Sequence, residues 1–237
     1  MQGPIAYLRR TPLRRQLEAA GARWRSLADA AIAETLAVET DARVLAIADL
    51  TMLPRLGFKG RGTVPAMQRR GLILEPKANQ AYRQSDGGLC LVLAPSEVIL
   101  LSALKGDGGT LLGMEQSWRI EDEERTYPLL RRDSHAWFLV TGVQAPRMMA
   151  KLCAIDFRVE KFPNLAIAQT SVAKLTAIVT RADLGPVPAF HVLADSASAL
   201  YFCSCLTDAA LEFQGRMVGL ERMEKLEAHE AAHGHLS

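Results

Sequence analysis

Short blocks of apolar residues alternate with polar positions along most of the chain, and glycine or proline separates many of the blocks. Period-two or continuously apolar blocks of four to eight residues mark strands, and longer blocks with a 3.6-residue period mark helices. This pattern predicts strands at 44–50, 56–58, 137–140, 167–175, 177–181 and 190–193, with further strand candidates at 72–74, 78–84 and 89–93. Asp86-Gly87-Gly88 reads as a hairpin turn between the last two. Helices are predicted at 64–70, 145–153 and 196–213, with Ser196 as N-cap of the last, and a helix-like run covers 95–104. Residues 11–36 also read as helix, opened by Thr11-Pro12 and divided in two by Gly21.

Two stretches read as versions of one unit, which predicts a duplicated α+β scaffold. Leu56-Gly57-Phe58-Lys59-Gly60 and Phe138-Leu139-Val140-Thr141-Gly142 are each a short apolar strand closed by glycine and followed by a helix. A second pair, Leu93-Ala94-Pro95-Ser96 and Leu193-Ala194-Asp195-Ser196, reads as the end of a strand and the start of a helix. The implied organisation is an N-terminal helical region (1–42), a first α+β half (43–120), a second half (121–215) and a peripheral charged tail (216–237). The acidic run Glu121-Asp122-Glu123-Glu124 is the connector between the halves, and 105–109 reads as a flexible loop. Mostly antiparallel sheets flanked by helices are the expected architecture.

Composition narrows the function. With 28 basic and 26 acidic residues, the net charge of +2 argues against nucleic acid or a membrane surface as partner. The longest apolar stretch, 89–104, is broken by Pro95, Ser96 and Glu97 and is too short to span a bilayer, so a cytoplasmic protein is expected. Cys90, Cys153, Cys203 and Cys205 form no Cys-x-x-Cys pair and read as reduced thiols.

Three motifs invite chemistry, and each has a simpler explanation. His229-Glu230-Ala231-Ala232-His233 fits the H-E-x-x-H zinc pattern, but only four residues follow it and no apolar run surrounds it, so no metal site is expected. Gly57, Gly60 and Gly62 have neither Rossmann nor P-loop spacing and read as turn glycines. His135 and His191 lie near strands with no serine or cysteine elbow beside them, so no catalytic residue is assigned.

One resemblance runs from about residue 11 to 214. Pro12-Leu13, Gly21-Ala22-Arg23, Ala48-Asp49-Leu50-Thr51, Arg55 and Gly57-Phe58-Lys59-Gly60 resemble the glycine-cleavage T-protein superfamily. Within it, the run 93–100, the runs 168–173 and 178–181, and 191–201 are similar to the gamma subunit of heterotetrameric sarcosine oxidase. The resemblance implies a T-protein-like fold without a redox cofactor in this chain. FAD, FMN, NAD and folate would reside in partner subunits, and alpha, beta and zinc-binding delta subunits would complete a complex that demethylates sarcosine oxidatively. T-proteins place an aspartate shortly after a Gly-Gly pair, whereas Gly87-Gly88 is followed here by Leu89-Cys90-Leu91-Val92. That departure favours a noncatalytic subunit. A stand-alone folate-binding or aminomethyltransferase-like protein is the alternative, with Asp49, Arg55 and Lys59 as its clustered folate candidates. A subunit of a related complex acting on N-methylglutamate is a third possibility.

Overall fold

The computed structural model describes residues 7–27, 29–105, 108–120 and 123–233, with side chains as far as Ala228. The chain opens with α1 (Arg14–Ala19) and a hairpin, β1 (Arg23–Leu27) and β2 (Ala30–Thr35). A first series follows: β3 (Ala46–Asp49), β4 (Arg55–Lys59), α2 (Thr63–Arg69), β5 (Gln80–Arg83), β6 (Leu89–Ala94) and β7 (Glu97–Leu101). After α3 (Gly109–Ser117) a second series repeats the order: β8 (Tyr127–Leu129), β9 (His135–Thr141), α4 (Ala145–Met149), β10 (Ile167–Val172), β11 (Leu175–Arg181) and β12 (Ala189–Asp195). The chain closes with α5 (Ala199–Leu211), β13 (Arg216–Val218) and α6 (Leu220–His233).

The sheets show how the two series combine. One sheet has the order β5-β6-β7-β4-β8 and the other β10-β11-β12-β9-β3-β13. Each series therefore builds its own antiparallel sheet from its last four strands but lends its first strand to the other. β3 pairs with β9, and β8 pairs with β4, both antiparallel. Among the described strands only β13 adds in parallel, on the outer edge of β3. The fold is α+β, with antiparallel sheets flanked by helices.

Side-chain alternation along the strands sorts the core into three layers. Ala46, Ala48, Trp137, Leu139 and Leu193 of the six-stranded sheet meet Leu89, Leu91, Ile99 and Leu101 of the five-stranded sheet in a shared middle layer. Their neighbours Ile47, Phe138, Val140 and Val192 face the opposite way, onto α1, α4 and α5. Phe58, Cys90, Val92 and Leu100 face α2 and α3. Phe138 and Phe202 meet edge-on at 5.6 Å, fixing α5 on its sheet.

Several elements differ from the sequence expectation. Within 11–36 only Arg14–Ala19 is helical, and the remainder forms the β1–β2 hairpin. Gly21, at φ 75°, ends the helix instead of interrupting it, and Trp24, Ala31 and Ile32 then alternate into the core. The 95–104 run is not a helix: Pro95-Ser96 makes a turn, and Glu97–Leu101, with β-branched Val98 and Ile99 at its centre, continues as β7. No strand forms at 72–74. The expected 167–175 strand ends at Val172, because Ala173 and Lys174 both adopt positive φ (48° and 67°) in a two-residue hairpin turn. Asp195, not Ser196, caps the helical segment after β12, accepting the Ala197 amide at 2.8 Å. Nor is the tail peripheral over 216–228. β13 extends the sheet, Val218, Leu220, Met223 and Leu226 are buried in the middle layer, and Arg25 grips Glu224 of α6 through two bonds of 2.6 and 2.7 Å. Cys90, Cys153 and Cys203 are buried free thiols, and Cys205 is half-buried. Among the described residues, no helix is long and apolar enough to cross a membrane.

Candidate functional site

The strand exchange makes two connectors cross. Residues 50–54 lead from β3 into β4, and residues 130–134 lead from β8 into β9. Arg55 lies at the crossing and is buried. Its Nη1 donates to the Thr51 carbonyl of its own connector at 2.8 Å. Its Nε and Nη2 donate to the carbonyls of Arg131 at 2.7 Å and Arg132 at 2.8 Å in the other, and Nη2 also reaches the His135 carbonyl. Thr51 returns the contact, its hydroxyl accepting the Trp137 amide at 3.1 Å. Burial, followed by the charge of Arg9, lowers the Arg55 pKa to about 10.

Asp49 ends β3 beside this crossing. One carboxylate oxygen accepts the Thr11 hydroxyl and the other accepts the Thr51 amide at 2.9 Å. Burial raises its pKa, and these hydrogen bonds work against the rise. Lys59 sits at the far end of β4, four residues on, which is roughly 13 Å along an extended strand. Its exposed ammonium pairs with Glu97 at 2.9 Å. The structure thus places Asp49 and Arg55 together and Lys59 apart.

These residues do not fit folate. The pterin and glutamate groups of folate need a carboxylate and a cation turned into a shared cavity. Here every nitrogen of the Arg55 guanidinium is engaged by backbone carbonyls and both Asp49 oxygens accept bonds. Of four clefts among the described residues, none is lined by Asp49, Arg55 or Lys59. The Gly87-Gly88 pair forms the β5–β6 turn, and Leu89 to Val92 behind it are buried apolar residues of β6.

The histidines serve the framework. His191 is buried, and its Nδ1 accepts the Trp137 indole N–H at 3.1 Å. Burial, with a smaller contribution from the charge of Arg83, lowers its pKa to about 3. His135 lies opposite Asp195 in the β9–β12 register, and its Nδ1 is 2.7 Å from the Ser134 hydroxyl. Serine, histidine and aspartate therefore gather here, but none of the four clefts opens on them. Asp195 is occupied as a cap, and burial with Arg131 and Arg55 lowers the His135 pKa to about 4. The group closes strand ends and shows no arrangement for nucleophilic attack.

His229 and His233 lie in α6, but their side chains fall outside the described residues. Among the described residues, no cluster of three or more His, Cys, Asp or Glu could hold a metal ion. Sequence reasoning missed two buried polar links. One is the Trp137–His191 bond, whose partners stand 54 residues apart on neighbouring strands. The other is Arg181, which pairs with Asp183 at 2.6 Å and binds the Val159 and Phe162 carbonyls. Arg-x-Asp at a strand end was its only signal.

No protein-family model matches the chain, and no curated protein matches it in sequence. Solved structures do. A chain of heterotetrameric sarcosine oxidase from Corynebacterium sp. U-96, solved in complex with pyrrole 2-carboxylate, is similar with a TM-score of 0.63 at 19% identity, over 87% of this chain and 96% of that one. Aminomethyltransferase T of the glycine cleavage system from Bartonella henselae is similar with a TM-score of 0.70 at 14% identity, over 93% of this chain. The chain spans 62% of that enzyme's length. At such identities the shared property is the fold.

Proposed function

We propose that the chain is a noncatalytic, gamma-type subunit of a heterotetrameric sarcosine oxidase-like complex. One observation carries this reading: the fold is similar, with a TM-score of 0.63, to a chain of a heterotetrameric sarcosine oxidase. The guanidinium of Arg55 points the same way, since four of its five N–H groups go to backbone carbonyls and hold the two connectors together. In this reading FAD, FMN, NAD and folate belong to the larger partner subunits, and this chain holds its alpha, beta and delta partners in place.

Co-expression tests the proposal. The chain should co-purify with alpha, beta and delta subunits as a stoichiometric complex that oxidises sarcosine, and should be colourless and inactive alone. Replacing sarcosine by N-methylglutamate in the same assay identifies the substrate class. Failure to co-purify, together with saturable folate binding by the isolated chain, would overturn the proposal in favour of a stand-alone folate protein.

A further inference from the structure

The duplication supplies its own template for a partner contact. Lys59 and Thr141 each precede the glycine that closes the first long strand of a series, and they pair with Tyr127 and Ala46 respectively. Tyr127, Pro128 and Leu129 of β8 are therefore the counterparts of Ala46, Ile47 and Ala48 of β3. On the six-stranded sheet, β13 covers the outer edge of β3 in parallel register, Met217 opposite Ile47. On the five-stranded sheet, β8 is itself the outermost strand among the described residues.

Exposed apolar side chains mark this open edge. Tyr127 is 47% exposed and Leu130, the next residue beyond the strand, is 71% exposed. Arg9 binds Asp133 at 2.9 Å and the Arg132 carbonyl at 3.1 Å, which brings the segment carrying Leu8, 91% exposed, to the same end of β8. Pro128 sets the terms of pairing. The Gly60 amide bonds toward β7, so by alternation Lys59 and Gly57 bond toward β8, and Pro128 turns its main chain outward. It offers a carbonyl and has no N–H. Two copies of β8 cannot exchange the reciprocal bonds of an antiparallel pair at this residue, whereas a foreign strand can still donate to the carbonyl.

We propose that β8 is the docking edge for an extended, apolar segment of a partner subunit, which adds as a parallel strand in the place that β13 takes on the other sheet. This rests on the reading of the chain as a subunit and names its contact surface. Strand addition of this kind draws affinity from main-chain bonds and selectivity from alternate side chains.

The test is amide hydrogen exchange on the chain alone and in the complex co-expressed with alpha, beta and delta subunits. In the complex, the peptide covering 126–131, in which Thr126 and Leu130 carry the outward amides on either side of Pro128, should exchange slower by about tenfold or more. Leu130→Lys, a change at an exposed position, should lower co-purification by about tenfold while leaving the isolated chain folded. A wild-type complex in which that peptide exchanges as fast as in the free chain overturns the docking edge and leaves the subunit reading intact. If the wild-type chain forms no complex at all, both fall.

Discussion

Gly60 and Gly142 stand at the same point of two copies of one unit. Each follows a long strand, precedes a helix, and donates its amide to the residue before the returning strand, Ser96 in one case and Pro188 in the other, both at 2.9 Å. Each also lies under the chain that enters the exchanged strand. A Cβ on Gly60 would stand 1.9 Å from the Arg125 carbonyl oxygen, and one on Gly142 would stand 2.3 Å from that of Val44.

Alanine at either glycine should therefore be severely destabilising, by about 3 kcal/mol or more, because positive φ and a backbone collision act together. Gly71 is the control. Its φ is 83°, but nothing lies within 4 Å of the built Cβ, so Gly71→Ala should cost only about 1–2 kcal/mol. Urea midpoints of the three variants measure the difference, and equal losses would remove the collision argument.

Arg55→Met should destabilise by roughly 3–5 kcal/mol, since four backbone carbonyls lose their buried donor. Arg55→Lys should recover only part of this, because an ammonium cannot span both connectors as the planar fork does. Were Arg55 a ligand residue, its loss would change binding with little effect on the urea midpoint.

Acid should loosen the middle layer through His191. An unfolded histidine titrates near 6.5, while the folded protein holds His191 to about 3. Between these values the unfolded chain binds the additional proton, so the contribution is complete above about pH 6.5 and is lost as pH falls toward 3. Asp49 opposes this with a raised pKa, favouring the folded state as pH falls through its folded value. His191→Gln should flatten the stability profile between pH 4 and 6 by about 1.4 kcal/mol per pH unit, one proton's worth. Trp137 fluorescence against urea at each pH follows it, and an unchanged slope would dismiss the histidine.

Truncation after Gly215 should yield an insoluble or unfolded product. It removes Val218, Leu220, Met223 and Leu226 from the middle layer, each worth about 1.5–3 kcal/mol of burial, against a total stability of about 5–15 kcal/mol. A soluble, cooperatively unfolding truncation product would show that α6 is dispensable.

Legibility in the sequence followed the reach of each interaction. The glycine-closed strands were visible because steric demand is local, and Gly60 and Gly142 declare it. The Ser96 and Ser196 pair misled because similar tetrapeptides stand in unlike places: Ser96 opens β7, whereas Ser196 follows β12. The spatial counterpart of Ser96 is Pro188, which shares no chemistry with it. In 11–36, alanine and arginine suit a helix by propensity, and the tertiary burial of Trp24 and Ile32 overrides that preference. Arg55 was noticed for its charge, but its role depends on carbonyls 76 to 80 residues away, beyond any local pattern.

The exchanged strands also bear on synthesis at the ribosome. The first series cannot complete its sheet when its last strand emerges, because the edge of β4 waits for β8, and β3 has no partner until β9 is made some 90 residues later. Strand pairing at such separation closes slowly, so the nascent N-terminal half remains open-edged and exposed to misassociation until its second half arrives. Slowing translation beyond residue 101 would lengthen that vulnerable interval, whereas the finished chain is locked by each half holding a piece of the other.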